Sequence, residues 1–296
     1  MILEKSMQLL EGACDIHIHG GPDVVQRRQD ITDIASDAKA HGMAAVVFKD
    51  HNNSTADRAG IARQLVPDIG IFGGIVLNHA VGGFNLHAVD MAIKMDAKIV
   101  WMPSVDARHT IQKVIVEGIA SWLKPSVWLR KPGDGLTVLD ENGIILPEVK
   151  EIIYLLRDKD VILDTCHLNA LESYKLVVEA KKAGLSKVVV THPNCSVNKM
   201  TIQEQKELAK EGAVLTYAFL PCMPMYDGQQ PSEIVEMIKQ VGPSNCILIS
   251  DFGQVQNPTV VEGMRMYITH MLMAGLSVDD IRLMVRDNPQ KLLDLC

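Results

Sequence analysis

The chain has 296 residues, 47% hydrophobic and 22% charged, the balance of a folded protein rather than of a disordered one. Its formal net charge of -7 comes without any cluster of Lys and Arg, which excludes the basic face that a general nucleic-acid binder needs. No apolar run reaches the ~20 residues of a membrane span. The opening MILEKSMQLLEGACD carries charges where a signal peptide would be apolar, and the six cysteines form no CxxC pair, so a reduced, cytoplasmic setting without membrane partners is expected.

Taken in order, short apolar or β-branched runs alternate with amphipathic stretches of helical period, the pattern of βα units on a parallel sheet. The first strand reads at 14–19 (CDIHIH) and passes through GGPD to a helical stretch, DITDIASDAKAHG. Strands follow at 44–51 (AAVVFKDH), 69–78 (IGIFGGIVLN) and 97–103 (AKIVWMP). Segment 126–147, SVWLRKPGDGLTVLDENGIILP, breaks the rhythm with PGDG and ENG turn signals and reads as a β-hairpin insertion after strand four. The remaining strands read at 160–167, 187–193, 213–219 and 246–252. The helical stretches among them, LESYKLVVEAKKAG, TIQEQKELAKEG and PSEIVEMIKQVG, end in glycine as helix C-caps do. A Met-rich helix, VEGMRMYITHMLMAG, is expected to pack on the barrel, and the tail SVDDIRLMVRDNPQKLLDL reads as two helices parted at Asn288-Pro289.

Eight strands alternating with helices make an α/β (β/α)8 TIM barrel the simplest closed solution, with an open doubly wound sheet as the alternative. Nothing rich in Pro, Gly or Ser marks a linker, so a single domain over 1–296 is expected.

In a barrel the active site lies where strands end and βα loops begin. Those positions hold His17 and His19, Lys49 and His51, Asn78, Ser104 and Asp106, His167, His192, Tyr217 and Asp251. Strand side chains alternate with period two, so His17 and His19 share one face while Ile16 and Ile18 take the other. Two inward imidazoles cannot both be charged without a large burial cost, whereas a divalent cation such as zinc takes them neutral. A lone HxH also serves as a pair of satisfied half-buried histidines; the convergence of His17, His19, His167, His192 and Asp251 on one rim favours the metal.

This constellation resembles the amidohydrolase superfamily over nearly the whole chain. DIHIHGGPD is similar to its first-strand HxH, DTCHLN and VTHPN to its fifth- and sixth-strand histidines, ISDFGQ to its eighth-strand aspartate, and RDNPQKLLDL to its terminal helix. The resemblance implies one or two divalent ions, zinc first, with His17, His19 and Asp251 on one ion and His167 and His192 on a second or on substrate. Many binuclear members carry a carboxylated lysine at the end of strand four; here IVWMPSVD has none, and the lysine stands instead at Lys49. Three readings of Lys49 stay open: a carboxylated bridge between ions, an ammonium holding an anionic substrate, or a lysine reaching solvent.

The reaction expected is hydrolysis of an amide, cyclic amide, lactone or ester of a small molecule, with Asp251, Lys49 and His192 as catalytic residues. Arg27, Arg28, His51 and Arg130 are substrate-binding candidates, the arginines because their fork suits a carboxylate. A mononuclear decarboxylase or hydratase and a non-catalytic barrel are the competing readings. Cys166 is expected to alternate away from His167 and so to face out of the site. A homo-oligomer is compatible with the sequence, which says nothing of its form.

Overall fold

The computed structural model describes residues 2–124 and 131–295. Eight parallel strands lie in the order β1 to β8: Cys14–Ile18, Ala45–Phe48, Gly70–Val76, Ala97–Trp101, Ile162–Asp164, Val188–Thr191, Val214–Ala218 and Cys246–Ile249. Each expected strand is present, trimmed at its ends, and nearly every strand residue is buried, as a sheet covered by helices requires. The ring closes between its last and first strands, where Asp251 N donates to His17 O at 3.1 Å and His19 N to Phe252 O at 2.8 Å.

The surrounding helices are α1 (Ile2–Gln8), α2 (Ile31–Ala40), α3 (Ala56–Leu65), α4 (Leu86–Lys94), α5 (Arg108–Ile111) and α6 (Pro147–Leu156). They continue with α7 (Ala170–Lys182), α8 (Ile202–Lys210), α9 (Pro231–Val241), α10 (Val260–Met273), α11 (Val278–Arg282) and α12 (Asn288–Leu293). Local sequence sets their limits. Capping boxes start α7 (Asn169 with Glu172) and α8 (Thr201 with Glu204), each cap contributing about 1 kcal/mol. The glycine expected to stop α9, Gly242, has φ +98°, a backbone that side chains resist. Helix α10 buries Met264 and Met271 against the barrel while Met273 stays exposed.

Two expectations need correction. The expected hairpin segment 126–147 is preceded by α5 and a π-helical turn (Gln112–Val116); its residues 126–130 lie outside the described residues, and in the rest the antiparallel pairing is a single bridge, Leu139 with Ile145 about the ENG turn, beside a parallel bridge from Leu136 to Ala107. The tail does not part at Asn288-Pro289. A π-helical turn (Leu283–Asp287) joins α11 to α12, because Pro289 falls in the first turn of α12, where its missing N–H leaves no bond unmade.

Candidate metal centre

The C-terminal ends of β1, β2, β5, β6 and β8 surround a cavity of about 510 Å³ with His17, His19, Lys49, His51, His167, His192 and Asp251 in its lining. Arg27 reaches its wall, and Val24, Val25, Val105, Leu123 and Val255 make much of the rest apolar. Trp122 and Tyr226, packed edge to face with ring centroids 4.9 Å apart, complete one side.

The tightest group is at the barrel seam. Asp251 Oδ1 lies 3.1 Å from His19 Nε2 and 3.4 Å from His17 Nε2, and the donor atoms of all three residues fall within 4.8 Å of one another. Two ligands of a tetrahedral ion at bond lengths of ~2.0–2.1 Å stand about 3.4 Å apart, so these three donors suit one zinc-sized cation. Glycine is obligatory beside them: a Cβ on Gly253 would lie 1.9 Å from the His19 carbonyl oxygen.

Electrostatics agree with that fit. Burial first, then the positive charge of neighbours, holds His17, His19, His51 and His167 below the ordinary histidine range. Burial lowers His192 to about 4, against the pull of Asp251. All five imidazoles are therefore neutral at pH 7 and offer lone pairs. Burial also pushes the Asp251 carboxyl up, while His192, Lys49 and Arg27 draw it back down. A carboxylate so placed lacks only a stronger cation.

The second group is His167 and His192, ring centroids 5.1 Å apart, with His192 5.7 Å from His17. Thr110 Oγ1 donates to Ser104 O at 2.8 Å and stands 3.2 Å from His167 Nδ1. Having spent its proton, that hydroxyl can only accept, so His167 carries its own proton on Nδ1 and keeps a lone pair on Nε2. His192 Nδ1 is buried with no hydrogen-bond partner, an orphan of the kind an ion would satisfy.

Lys49 is 1% exposed, which removes the reading in which it reaches solvent. Its Nζ sits 3.2 Å from His17 Nε2, 3.2 Å from Cys166 Sγ and 5.8 Å from the Trp101 ring centroid. Cys166 thus faces into the site, against expectation. Strand β5 stops at Asp164, and Cys166 takes φ +50°, which turns its side chain back toward the mouth. Asp164 Oδ1 accepts from Cys166 N at 2.7 Å and Asn198 Nδ2 donates to Cys166 O at 2.6 Å, fixing the turn. Burial raises the thiol to about 12, so it is not a nucleophile. His192 (φ +29°) and Asp251 (φ +57°) are also left-handed, and such strained backbone concentrates at functional sites.

Two further carboxyls support the frame. Asp15, raised to about 7 by burial, takes the Ser250 N–H on both oxygens at 3.2 Å and so ties β1 to the residue before Asp251. Asp164, raised to about 6 by burial, also accepts from Thr191 Oγ1.

Of the substrate candidates, Arg27 is almost buried, paired with Asp23 at 2.6 Å, and its Nη2 is 3.4 Å from His19 Nδ1. Arg28 is exposed beside the cavity and donates to Val255 O at 3.0 Å. Arg130 lies outside the described residues. Tyr217 points away, donating to Gln205 Oε1 at 2.7 Å.

In fold, the chain is a (β/α)8 barrel similar to those of several solved enzymes. It aligns with an amidohydrolase from Pseudomonas aeruginosa at TM-score 0.66 and 14% identity, covering 99% of this chain and 98% of that one. It aligns with a 2,6-dihydroxybenzoate decarboxylase at TM-score 0.56 and 10% identity, covering 96% and 99%. A third structure, an organophosphate-hydrolysing protein engineered from a promiscuous lactonase, gives TM-score 0.54 and 17% identity over 97% of each chain. No curated protein matches in sequence. By sequence the chain belongs to the family described as "Family of unknown function (DUF6282)", whose profile matches residues 12–216.

Proposed function

We propose that the protein is a metal-dependent hydrolase of a small, anionic substrate carrying an amide, cyclic amide, lactone or ester bond. One observation carries the reading: His17 and His19, at one end of the chain, and Asp251, near the other, bring three donors within 4.8 Å of one another at the C-terminal end of the barrel strands.

His17, His19 and Asp251 hold one divalent ion, zinc first; His167 and His192 hold a second or orient substrate. When bound, the ion polarises a carbonyl and lowers the pKa of water. Asp251, with a carboxyl pushed up by burial, takes the proton of the attacking water and passes it to the leaving group. His192 stands beside this exchange as a neutral base. Arg27, held by Asp23, places a substrate carboxylate, and the buried Val105 and Leu123 give the cavity an apolar wall. Lys49, between His17 and Cys166, is either carboxylated, joining the ligand set, or an ammonium facing the substrate anion.

A second reading, a one-ion lyase acting by decarboxylation or hydration, is favoured by the finding that His17, His19 and Asp251 are the one such group among the described residues. Elemental analysis with intact-mass measurement separates the readings. Two ions and an added carbon dioxide on Lys49 support hydrolysis, and one ion with unmodified lysine supports the lyase. Absence of any tightly held metal would leave a non-catalytic barrel. Screening against N-acyl amino acids, lactones and cyclic amides then tests the reaction.

A further inference from the structure

His51 is held differently from His167. Its Nδ1 lies 2.8 Å from Ser104 Oγ, and Asn78 Nδ2 donates to that same oxygen at 2.7 Å. The Asn78 amide can be oriented only one way. Its Oδ1 accepts from the backbone N–H of Ser104 at 2.8 Å and of Asp106 at 3.4 Å, while Nδ2 also donates to His51 O at 2.8 Å. The Ser104 hydroxyl is buried, receives the amide proton, and must place its own; His51 Nδ1 is the acceptor within reach among the described residues. Were Nδ1 protonated instead, two donors would meet on one oxygen and the hydroxyl proton would be stranded in the interior, which buried polar groups avoid.

The neutral ring therefore carries its proton on Nε2. It lines the cavity, stacked on His19 at 5.0 Å and edge-on to His167 at 6.4 Å between ring centroids. Ser104 governs both tautomers from one position: its carbonyl occupies the Thr110 hydroxyl proton and frees His167 Nε2, while its own hydroxyl leaves His51 Nε2 protonated.

We propose that His51 is a fixed hydrogen-bond donor, presenting Nε2–H to an oxygen of the substrate and never a lone pair to an ion, and that Ser104 and Asn78 are positioning residues that hold this tautomer. The role toward substrate rests on the hydrolase or lyase reading; the tautomer does not.

Long-range 1H–15N spectra of protein labelled on histidine, with His51 assigned by its loss in His51→Phe, test the tautomer in the metal-free protein. A protonated Nε2 is expected in the wild type, giving way in Ser104→Ala to a ring with Nδ1 partly protonated. A wild-type ring protonated on Nδ1 overturns the proposal. In zinc titrations His51→Phe should keep the wild-type stoichiometry, and a lost equivalent would make His51 a ligand and overturn it too. Methylphosphonate should bind His51→Phe about tenfold or more weakly, with His51→Gln, which keeps an N–H, recovering part of the loss. Equal affinity in wild type and His51→Phe counts against the donor role. A wild type that takes up no zinc sinks the hydrolase reading alone, since the tautomer spectrum still decides this one.

Discussion

Asp251→Asn separates charge from shape at the barrel seam. The backbone bond from residue 251 to His17 O is kept, and an amide oxygen remains to accept from His19. What disappears is a carboxylate that burial disfavours, so the metal-free variant should melt at or above the wild-type temperature. Zinc should report the opposite. Asp251 Oδ1 stands 3.1 and 3.4 Å from the two imidazole donors, and without it the ion keeps two neutral ligands. Removing a mere supporting residue weakens metal binding ~10–100-fold, so losing a charged ligand should weaken it by on the order of a hundredfold or more. At free zinc about 100 times the wild-type Kd, binding adds about 2.7 kcal/mol, whereas a site a hundredfold weaker adds about 0.4 kcal/mol. For a chain of this size that is a rise in Tm of about 4 °C in the wild type and under about 1 °C in the variant. Calorimetric scans with and without zinc measure both quantities. A variant that gains as much from zinc as the wild type, or a metal-free variant that melts far below it, would refute the assignment.

Thr110→Val removes, at nearly constant volume, the oxygen that accepts from His167 Nδ1, and should weaken zinc binding ~10–100-fold if His167 is a ligand. Competition with a chelator reads this, and an unchanged affinity places His167 outside the ligand set. Gly253→Ala forces a methyl into the His19 carbonyl at φ +141°, so both the melting temperature and the bound zinc should fall; wild-type values for both would show that the seam can yield. Asp164 has a carboxyl raised from 3.8 to about 6, so the folded state binds its proton more tightly than the unfolded state does. Its contribution is greatest at low pH and is lost as pH rises through about 6. Asp164→Asn should flatten that decline and recover up to about 3 kcal/mol near neutrality, measured by urea unfolding across the range; a variant with the wild-type slope would exonerate Asp164.

The barrel was readable because each strand is a short apolar run with polar residues gathered toward its far end, and because glycines such as Gly242 punctuate the helices. The seam triad was readable for the same reason: period two puts His17 and His19 on one face, and Asp251 ends β8. Period two does not extend to Cys166, because β5 ends after three residues at Asp164 and Cys166 itself, at φ +50°, leaves the alternation of the strand. Asp164 two residues before it, placed to accept its N–H, is the signal that could have warned of the turn. Thr110 lies in the four-residue α5 and Trp122 and Tyr226 in loops, segments too short or too irregular for a period, so nothing in their spacing announces that they meet the site. Asn78 and Ser104 stood at strand ends in the sequence, yet the service they render His51 depends on which proton goes where, and only distances reveal that.

The proposed cation site straddles the join between the first strand and the last, with His19 and Asp251 separated by 232 positions. A chain emerging from the ribosome cannot assemble this pocket until its final strand has docked, so an ion captured there certifies that the circle is complete. Circular permutants opened between other neighbouring strands should keep the clasp, whereas a fragment ending before Cys246 lacks Asp251 and should hold no ion at this seam however well its remaining units pack.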